Sequence, residues 1–167
     1  MIGSSSGPGV LVLTMIDLFQ LMEKNSDEKT YKVTVSYLEV YNEQIRDLLA
    51  DGDSGQNLSL REDSVKGIVV QGLTTHETKN VDQVLKLLHK GNQNRVKYAT
   101  AANPESSRSH AVFQVVIEQR DRTANIEQNV KIGKLSLIDL AGSERAARTQ
   151  NRGERLKEGA NINKSLL

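Results

Sequence analysis

The chain has 167 residues, 26% of them charged, and a net charge of +1. A charge so close to zero gives no overall field that would draw the molecule to nucleic acid or to an anionic membrane, so any basic contact surface must be local. The sequence contains no cysteine, which excludes disulfides and thiolate metal sites, and no apolar run of the roughly 18 residues that would span a bilayer. We therefore expect a cytoplasmic protein whose partners include neither nucleic acid nor a membrane.

The first half of the chain predicts one helix followed by several strands. Residues 10–24 carry apolar side chains at steps of three and four, which predicts an amphipathic helix that ends near Asn25. Residues 30–41, TYKVTVSYLEVY, alternate in polarity and are rich in β-branched and aromatic side chains, which predicts a strand. We expect a short helical piece over residues 42–49. Two short strands follow in LSLRED and GIVVQGL, joined around residues 63–67.

The second half predicts another helix and two longer strands. The helix starts near Asp82 and either stops at Gly91 or continues to about Tyr98. Apolar runs at residues 110–119 and 130–140 are most simply the paired strands of a hairpin with a long connection. The last nine residues, GANINKSLL, predict the opening of a further helix. This alternation of helices and strands indicates an α/β fold.

A carboxylate and a glycine follow the last predicted strand. In KLSLIDLAGSE the apolar run ends at Asp139, and Gly142 comes three residues later. An α/β nucleotidase places a carboxylate near hydrated Mg²⁺ in this way, while a glycine N–H approaches the terminal phosphate. D-x-x-G alone is a weak signal, because a strand end followed by a turn also explains it.

A cluster of hydroxyls precedes the strand predicted to pair with it. Ser106, Ser107 and Ser109 can coordinate a hard cation or donate to phosphate oxygens, and Arg108 offers a planar fork to phosphate or carboxylate. The simpler interpretation is a capped turn that enters a strand. Three serines and an arginine within four positions favour a phosphate or cation site instead.

These two motifs resemble those of a known family. NPESSRSH, at residues 103–110, resembles switch I of the kinesin motor domain (N-x-x-S-S-R-S-H), and DLAGSE, at residues 139–144, resembles its switch II. SYLEVYNEQIRDLL and GANINKSLL are similar to two further kinesin stretches, in the same order and spacing. The resemblance implies that residues 1–167 are a partial kinesin motor domain with the P-loop NTPase type of α/β fold, a mixed β-sheet flanked by helices. It implies a microtubule motor that couples ATP binding and hydrolysis to movement.

The resemblance also implies ATP and Mg²⁺ as cofactors and a role for each motif residue. Ser107 and Asp139 would hold Mg²⁺ directly or through water, and the Gly142 N–H would sense the γ-phosphate. Arg108 and Glu144 would form the ion pair that closes the switches, with Glu144 also accepting a proton through a water chain. The other residues that it assigns to the nucleotide side are Asn103, Ser106, Ser109 and His110, of which His110 would orient switch I.

A basic segment follows the second motif. A solvated loop is the usual explanation of such a run, and no aromatic side chain lies within it to stack on nucleic-acid bases. In kinesins the matching segment faces the acidic microtubule, so the resemblance implies tubulin contacts and a location on the cytoskeleton. TQNRGERLKEGANIN is most similar to the eighth, plus-end-directed kinesin class. The implied contact residues are Lys66, Arg145, Arg148, Arg152, Arg155, Lys157, Asn161, Asn163 and Lys164.

The phosphate-cradling loop of such an ATPase, G-x-x-x-x-G-K-[ST], does not occur in the sequence. Gly133-Lys134 is the only Gly-Lys pair, and it has Gln128 and Leu135 where the loop needs a glycine and a hydroxyl. In the family this loop lies just before the position of Met1, so we expect a fragment without the P-loop and the C-terminal elements. Alone it should be catalytically incompetent and marginally stable, and any dimerisation of the full-length protein would use segments outside this chain.

Two other functions stay open on the sequence alone. One is a non-catalytic module that binds microtubules without turnover. The other is a GTPase-like switch that shares D-x-x-G, although the base-reading element N-K-x-D of such a switch does not occur in the sequence.

Overall fold

The computed structural model of the chain describes residues 3–4, 7–52, 57–64, 67–98, 109–122, 130–141, 160–161 and 164. No helix in this part of the chain is long and apolar enough to cross a membrane. In chain order, the strands and helices are β1 Gly3–Ser4, β2 Gly7–Pro8, α1 Val10–Lys24, β3 Lys29–Tyr41, β4 Gln44–Asp47, β5 Ser59–Asp63, β6 Gly67–Gln71, β7 His76–Thr78, α2 Val81–Tyr98, β8 His110–Asp121 and β9 Lys131–Asp139.

The two long predicted helices are confirmed. Helix α1 ends where expected, at Asn25, whose backbone N–H donates to the carbonyl of Met22. Helix α2 runs through Gly91 to Tyr98 and does not stop at the glycine. Packing explains the glycine, because a Cβ at Gly91 would lie 2.3 Å from Cδ1 of Tyr37. The helix backbone approaches this ring so closely that only glycine fits.

The main sheet has five strands in the order β4-β3-β8-β9, with β7 also paired to β3. Strands β3 and β8 run antiparallel, since Thr30 bonds the carbonyl of Arg120 and Thr34 bonds that of Val116. Strands β8 and β9 are neighbours, as predicted. Strands β5 and β6 form a separate two-stranded sheet and confirm the predicted pair. Strand β7, with only three residues, gives no sequence pattern and was not predicted.

The helix predicted over residues 42–49 is wrong, because this segment completes a β-hairpin. Strand β4 pairs antiparallel with β3, with Tyr41 opposite Gln44 and Leu38 opposite Asp47. The two residues between the strands, Asn42 and Glu43, have φ of 50° and 64°. Positive φ at both positions is the signature of a tight hairpin turn that matches the twist of its strands. The turn therefore overrides the weak helical spacing of the segment.

The buried carboxylate of Asp47 explains why the chain does not become helical after β4. Its Oδ1 accepts the backbone N–H groups of Leu49 (2.8 Å) and Ala50 (3.2 Å), and its Oδ2 accepts that of Thr74 (2.6 Å). A carboxylate that bonds backbone two and three residues ahead stabilises a turn in place of a helix.

The chain divides into two compact units. Unit 1 comprises Met1–Ser36, Thr75–His89 and Phe113–Leu137, and unit 2 comprises Tyr37–Thr74, Lys90–Val112 and Ile138–Leu167. The buried apolar side chains of unit 1 are Leu11, Met15, Val33, Val35, Val84, Leu88, Phe113 and Val115. Those of unit 2 are Tyr37, Leu38, Leu48, Leu49, Ala111 and Ala141. Every predicted site residue that the structure describes belongs to unit 2.

Candidate functional site

The described residues include three of those predicted on the nucleotide side and two of those predicted to contact tubulin. Ser109, His110 and Asp139 belong to the first group, and Asn161 and Lys164 to the second. The other predicted site residues lie outside the described residues: Asn103, Ser106, Ser107, Arg108, Gly142 and Glu144 on the nucleotide side, and Lys66, Arg145, Arg148, Arg152, Arg155, Lys157 and Asn163 on the tubulin side.

The beginning of β8 and the end of β9 meet at a buried hydrogen bond. His110 is the first residue of β8, and its Nδ1 accepts the backbone N–H of Ala141 at 3.0 Å. Both residues are buried. An accepting Nδ1 places the ring proton of a neutral imidazole on Nε2. This bond therefore joins the two predicted motifs through His110 of the first and Ala141 of the second.

An arginine outside both predicted motifs joins the same two segments. Arg95, near the end of α2, donates from Nη2 to the carbonyl and hydroxyl oxygens of Ser109, both at 3.0 Å. Its Nη1 lies 3.4 Å from Oδ2 of Asp139, and its Nε lies 3.3 Å from Oε1 of Glu39 on β3. The guanidinium of Arg95 thus contacts Ser109 just before β8, Asp139 at the end of β9 and Glu39 near the end of β3.

The two carboxylates around Arg95 differ in their exposure to solvent. The side chains of Arg95 and Glu39 are 10% and 6% exposed, whereas that of Asp139 is 52% exposed. Burial strengthens the attraction between Arg95 and Glu39, because little water screens it. It also means that either charge would be costly to bury without the other. Glu39 is therefore the buried partner of Arg95, and Asp139 is a partner that also faces solvent.

Burial raises the pKa of the Tyr37 phenol, and the neighbouring charge of Arg95 opposes this rise. The hydroxyl of Tyr37 donates to Oδ1 of Asn92 at 2.9 Å. A buried phenol that donates a hydrogen bond is held in its neutral form. Tyr37 therefore adds no charge beside the arginine.

Comparison with known proteins identifies the family. The model of the kinesin motor domain matches residues 1–167. The chain belongs to the kinesin motor domain family. It is 58% identical to the kinesin-like protein KIF18A of Mus musculus and 54% identical to KIF19 of Homo sapiens, over 167 residues that make up all of this chain. Those residues are 18% and 16% of the two relatives, so the chain spans less than a fifth of their length.

Solved kinesin structures share the fold. A structure of a fast kinesin superimposes with a TM-score of 0.84 at 36% identity, covering 98% of this chain and 45% of that one. A structure of a KIF14 dimer with AMP-PNP, in complex with a microtubule, gives 0.81 at 38% identity and covers 99% of this chain and 48% of that one. The chain thus has the fold of a part of the kinesin motor domain, with a mixed sheet flanked by helices.

The oxygen donors at the end of β9 suit the cation expected in a kinesin. Asp139 offers a half-exposed carboxylate, which is the hard ligand that Mg²⁺ prefers. Among the described residues no group of three or more carboxylate, histidine or cysteine side chains forms a metal cage. Mg²⁺ is commonly held through one or two carboxylates together with phosphates and water, so a single carboxylate here fits this mode. Ser109, which is 1% exposed and bonded to Arg95, has a structural role, and its predicted nucleotide contact stays a prediction.

The described residues of the last kinesin motif contact the β3–β4 turn. Ala160, Asn161 and Lys164 are helical, which confirms the predicted helix at these positions. The Nζ of Lys164 lies 2.7 Å from Oε1 of Glu43, and the amide of Asn161 donates to the side-chain oxygen of Asn42. The Lys164–Glu43 pair is well exposed to solvent, so water screens it strongly.

Proposed function

We propose that this kinesin chain supplies both nucleotide-sensing segments of an ATP-driven microtubule motor, as one segment of the motor domain. One observation carries the proposal: Arg95 contacts both Ser109 and Asp139, which come from the two separate motifs. Phosphoryl transfer depends on positioning and on stabilising spread negative charge, so residues from both motifs must lie around one point. The shared arginine supports such a convergence.

In this proposal each motif residue keeps the role that the family pattern gives it. Ser107 and Asp139 hold Mg²⁺, which when bound neutralises charge on the phosphates. The N–H of Gly142 detects the γ-phosphate, and the bond between His110 and Ala141 fixes the backbone just before that glycine. Arg108 pairs with Glu144 to close the site, and Glu144 accepts a proton through water. Asn103, Ser106, Ser109 and His110 complete the nucleotide side.

The microtubule is the second part of the proposal. The relatives are kinesin-like proteins, and the KIF14 structure contains a microtubule. The basic side chains between residues 145 and 164 give this chain a local positive segment despite its net charge of +1. Such a segment suits the acidic surface of tubulin. We therefore propose tubulin as the partner and the microtubule cytoskeleton of the cytoplasm as the location.

A motor domain that contains this chain should hydrolyse ATP faster when microtubules are added. The test compares phosphate release with and without microtubules, together with co-sedimentation in AMP-PNP and in ADP. Turnover that microtubules accelerate, with nucleotide-dependent binding, is the expected result. Nucleotide-independent binding without turnover would favour a passive microtubule-binding module and overturn the proposal.

Glu144→Ala is the sharpest variant of that motor domain. Loss of the closing ion pair should slow hydrolysis far more than ATP binding, so bound ATP accumulates. Single-turnover kinetics with radiolabelled ATP would measure the two steps separately. Unchanged steady-state turnover would remove Glu144 from the mechanism.

The 167 residues alone should not hydrolyse ATP at a measurable rate. Their sequence has no G-x-x-x-x-G-K-[ST] loop, which carries the main backbone contacts to the β- and γ-phosphates. Phosphate release by the purified chain at the rate of a motor would contradict this.

A further inference from the structure

We infer that Arg95 is a positioning residue that holds Asp139 and the entry to β8 in one arrangement. The inference rests on the proposed function, because it concerns the carboxylate proposed to hold Mg²⁺. It adds a residue from helix α2, outside both motifs, to the machinery of the site.

The geometry of the guanidinium makes Arg95 suited to this role. Its planar fork presents five N–H donors in fixed directions. Nη2 reaches Ser109, Nη1 reaches Asp139 and Nε reaches Glu39, at 3.0 to 3.4 Å. Three separate segments of the chain therefore share one rigid group. If β8 and β9 shifted relative to each other near this group, at least one of these contacts would be lost.

Differences in burial decide which contact is fixed and which can respond to a ligand. Glu39 and Arg95 are almost fully buried, so their pairing anchors the guanidinium. Asp139 is half-exposed and receives one long contact of 3.4 Å. A single weak bond orients this carboxylate without enclosing it. Two carboxylates around one guanidinium also leave a local charge of −1, which favours a cation beside Asp139.

The helix that carries Arg95 is itself fixed at neighbouring positions. Lys90 donates to the carbonyl of Leu49 at 2.9 Å, and Asn94 donates to that of Leu48 at 2.8 Å. Neither of these two bonds involves the nucleotide motifs. Asn94 is therefore a matched control, because it lies next to Arg95 and anchors the same helix without touching Ser109 or Asp139.

Arg95→Lys in the complete motor domain tests the inference. Lysine keeps the positive charge, so the electrostatic effect on a cation is preserved, but its compact ammonium lacks the planar fork whose separate nitrogens reach Ser109, Asp139 and Glu39. Loss of such an outer contact typically weakens metal binding by about 10- to 100-fold. We expect the Mg²⁺ concentration for half-maximal ATP turnover to rise by roughly tenfold or more, with a smaller change in kcat at saturating Mg²⁺. Asn94→Ala should leave the Mg²⁺ dependence unchanged.

A second measurement avoids turnover altogether. In nucleotide-free, magnesium-free protein, the unfolding midpoint is measured for Arg95→Lys, Asp139→Asn and the double variant. If Arg95 holds Asp139, the loss in the double variant is smaller than the sum of the single losses, because both changes remove the same contact. The pair Asn94→Ala and Asp139→Asn should be additive.

The outcomes separate this inference from the proposed function. Wild-type protein without microtubule-stimulated ATP turnover would defeat the proposed function, while coupling in the unfolding measurement would still support the contact. Wild-type turnover combined with an unchanged Mg²⁺ dependence in Arg95→Lys, or with additive losses in the Arg95 and Asp139 cycle, would overturn the inference.

Discussion

At the residue scale, the buried pair of Glu39 and Arg95 organises the charged part of the site. Both side chains are largely shielded from water, and their closest contact is 3.3 Å. Removing one partner of such a pair leaves the other charge buried, which costs more than the pair itself contributes. Exposed pairs behave differently, because water stabilises each charge by itself. Their contribution is correspondingly small.

Glu39→Ala should therefore destabilise the protein by about 3 kcal/mol, because the buried charge of Arg95 loses its buried carboxylate partner, and half-exposed Asp139 compensates for this charge less well. Urea unfolding monitored by circular dichroism measures this change. Glu43→Ala is the matched control, since it removes the exposed partner of Lys164 and should change stability by less than about 1 kcal/mol. Equal effects of the two variants would contradict the burial argument.

Tyr37 gives the chain a pH dependence in the alkaline range. Its folded-state pKa is raised above the ordinary value of 10.0, mainly by burial. The neutral phenol is thus favoured in the folded state, so this contribution to stability is complete below about pH 10 and is lost as the pH rises through the folded pKa. Tyr37→Phe should flatten the decline in unfolding free energy above pH 10, while losing the bond to Asn92 at every pH. An identical alkaline decline in both proteins would disprove the assignment.

At the element scale, the periodicity of the sequence was sufficient to predict whether a long segment forms a helix or a strand. Helix α1 and strand β3 repeat their apolar spacing over 15 and 13 residues, so their types and ends could be predicted. The short strand β4 could not be predicted in this way. It forms because two residues with positive φ, Asn42 and Glu43, turn the chain back along β3, and the spacing of apolar residues does not reveal such a turn. Arg95 was missed for another reason. Its partners Glu39, Ser109 and Asp139 are 56, 14 and 44 residues away, so only folding brings them together.

The contact between α2 and β3 makes Gly91 a second element-scale test. Alanine is the better helix former by roughly 1 kcal/mol, but a Cβ here meets the Tyr37 ring at 2.3 Å. We expect Gly91→Ala to destabilise the protein by about 1–3 kcal/mol through overpacking. Gly133→Ala is the control, because nothing lies within 4 Å of its added Cβ. Thermal unfolding of both variants checks the prediction, and a stabilised Gly91→Ala would refute the close packing.

At the scale of the whole molecule, β9 is the last strand in the order of the described sheet and carries exposed apolar side chains. On β9, Ile132 and Ile138 are 69% and 49% exposed, and Leu140, directly after the strand, is 61% exposed. A strand that ends a sheet presents unpaired backbone groups, and apolar side chains on it favour pairing with another chain. The purified 167-residue chain should therefore self-associate.

Ile132→Lys should shift the sedimentation profile of that chain towards the monomer, because charge on an edge strand opposes pairing. Ile68→Lys replaces a residue of similar exposure, 72%, on the separate β5–β6 sheet and should have little effect. Sedimentation velocity at several concentrations measures both. A wild-type chain that stays monomeric throughout would rule out this role of β9.

The carboxylate of Asp47 has one further consequence. It accepts hydrogen bonds from the backbone N–H groups of Leu49 and Ala50, where the chain leaves β4. It also accepts one from Thr74, where the chain returns after β5 and β6. Departure and return are thus tethered to a single side chain. We expect changes in the length of the segment between them to cost little stability, because the entropy cost of closing a loop grows only slowly with its length. Asp47 would then hold the two ends of the segment that contains β5 and β6 in place, even in a variant in which that segment has a different length or sequence.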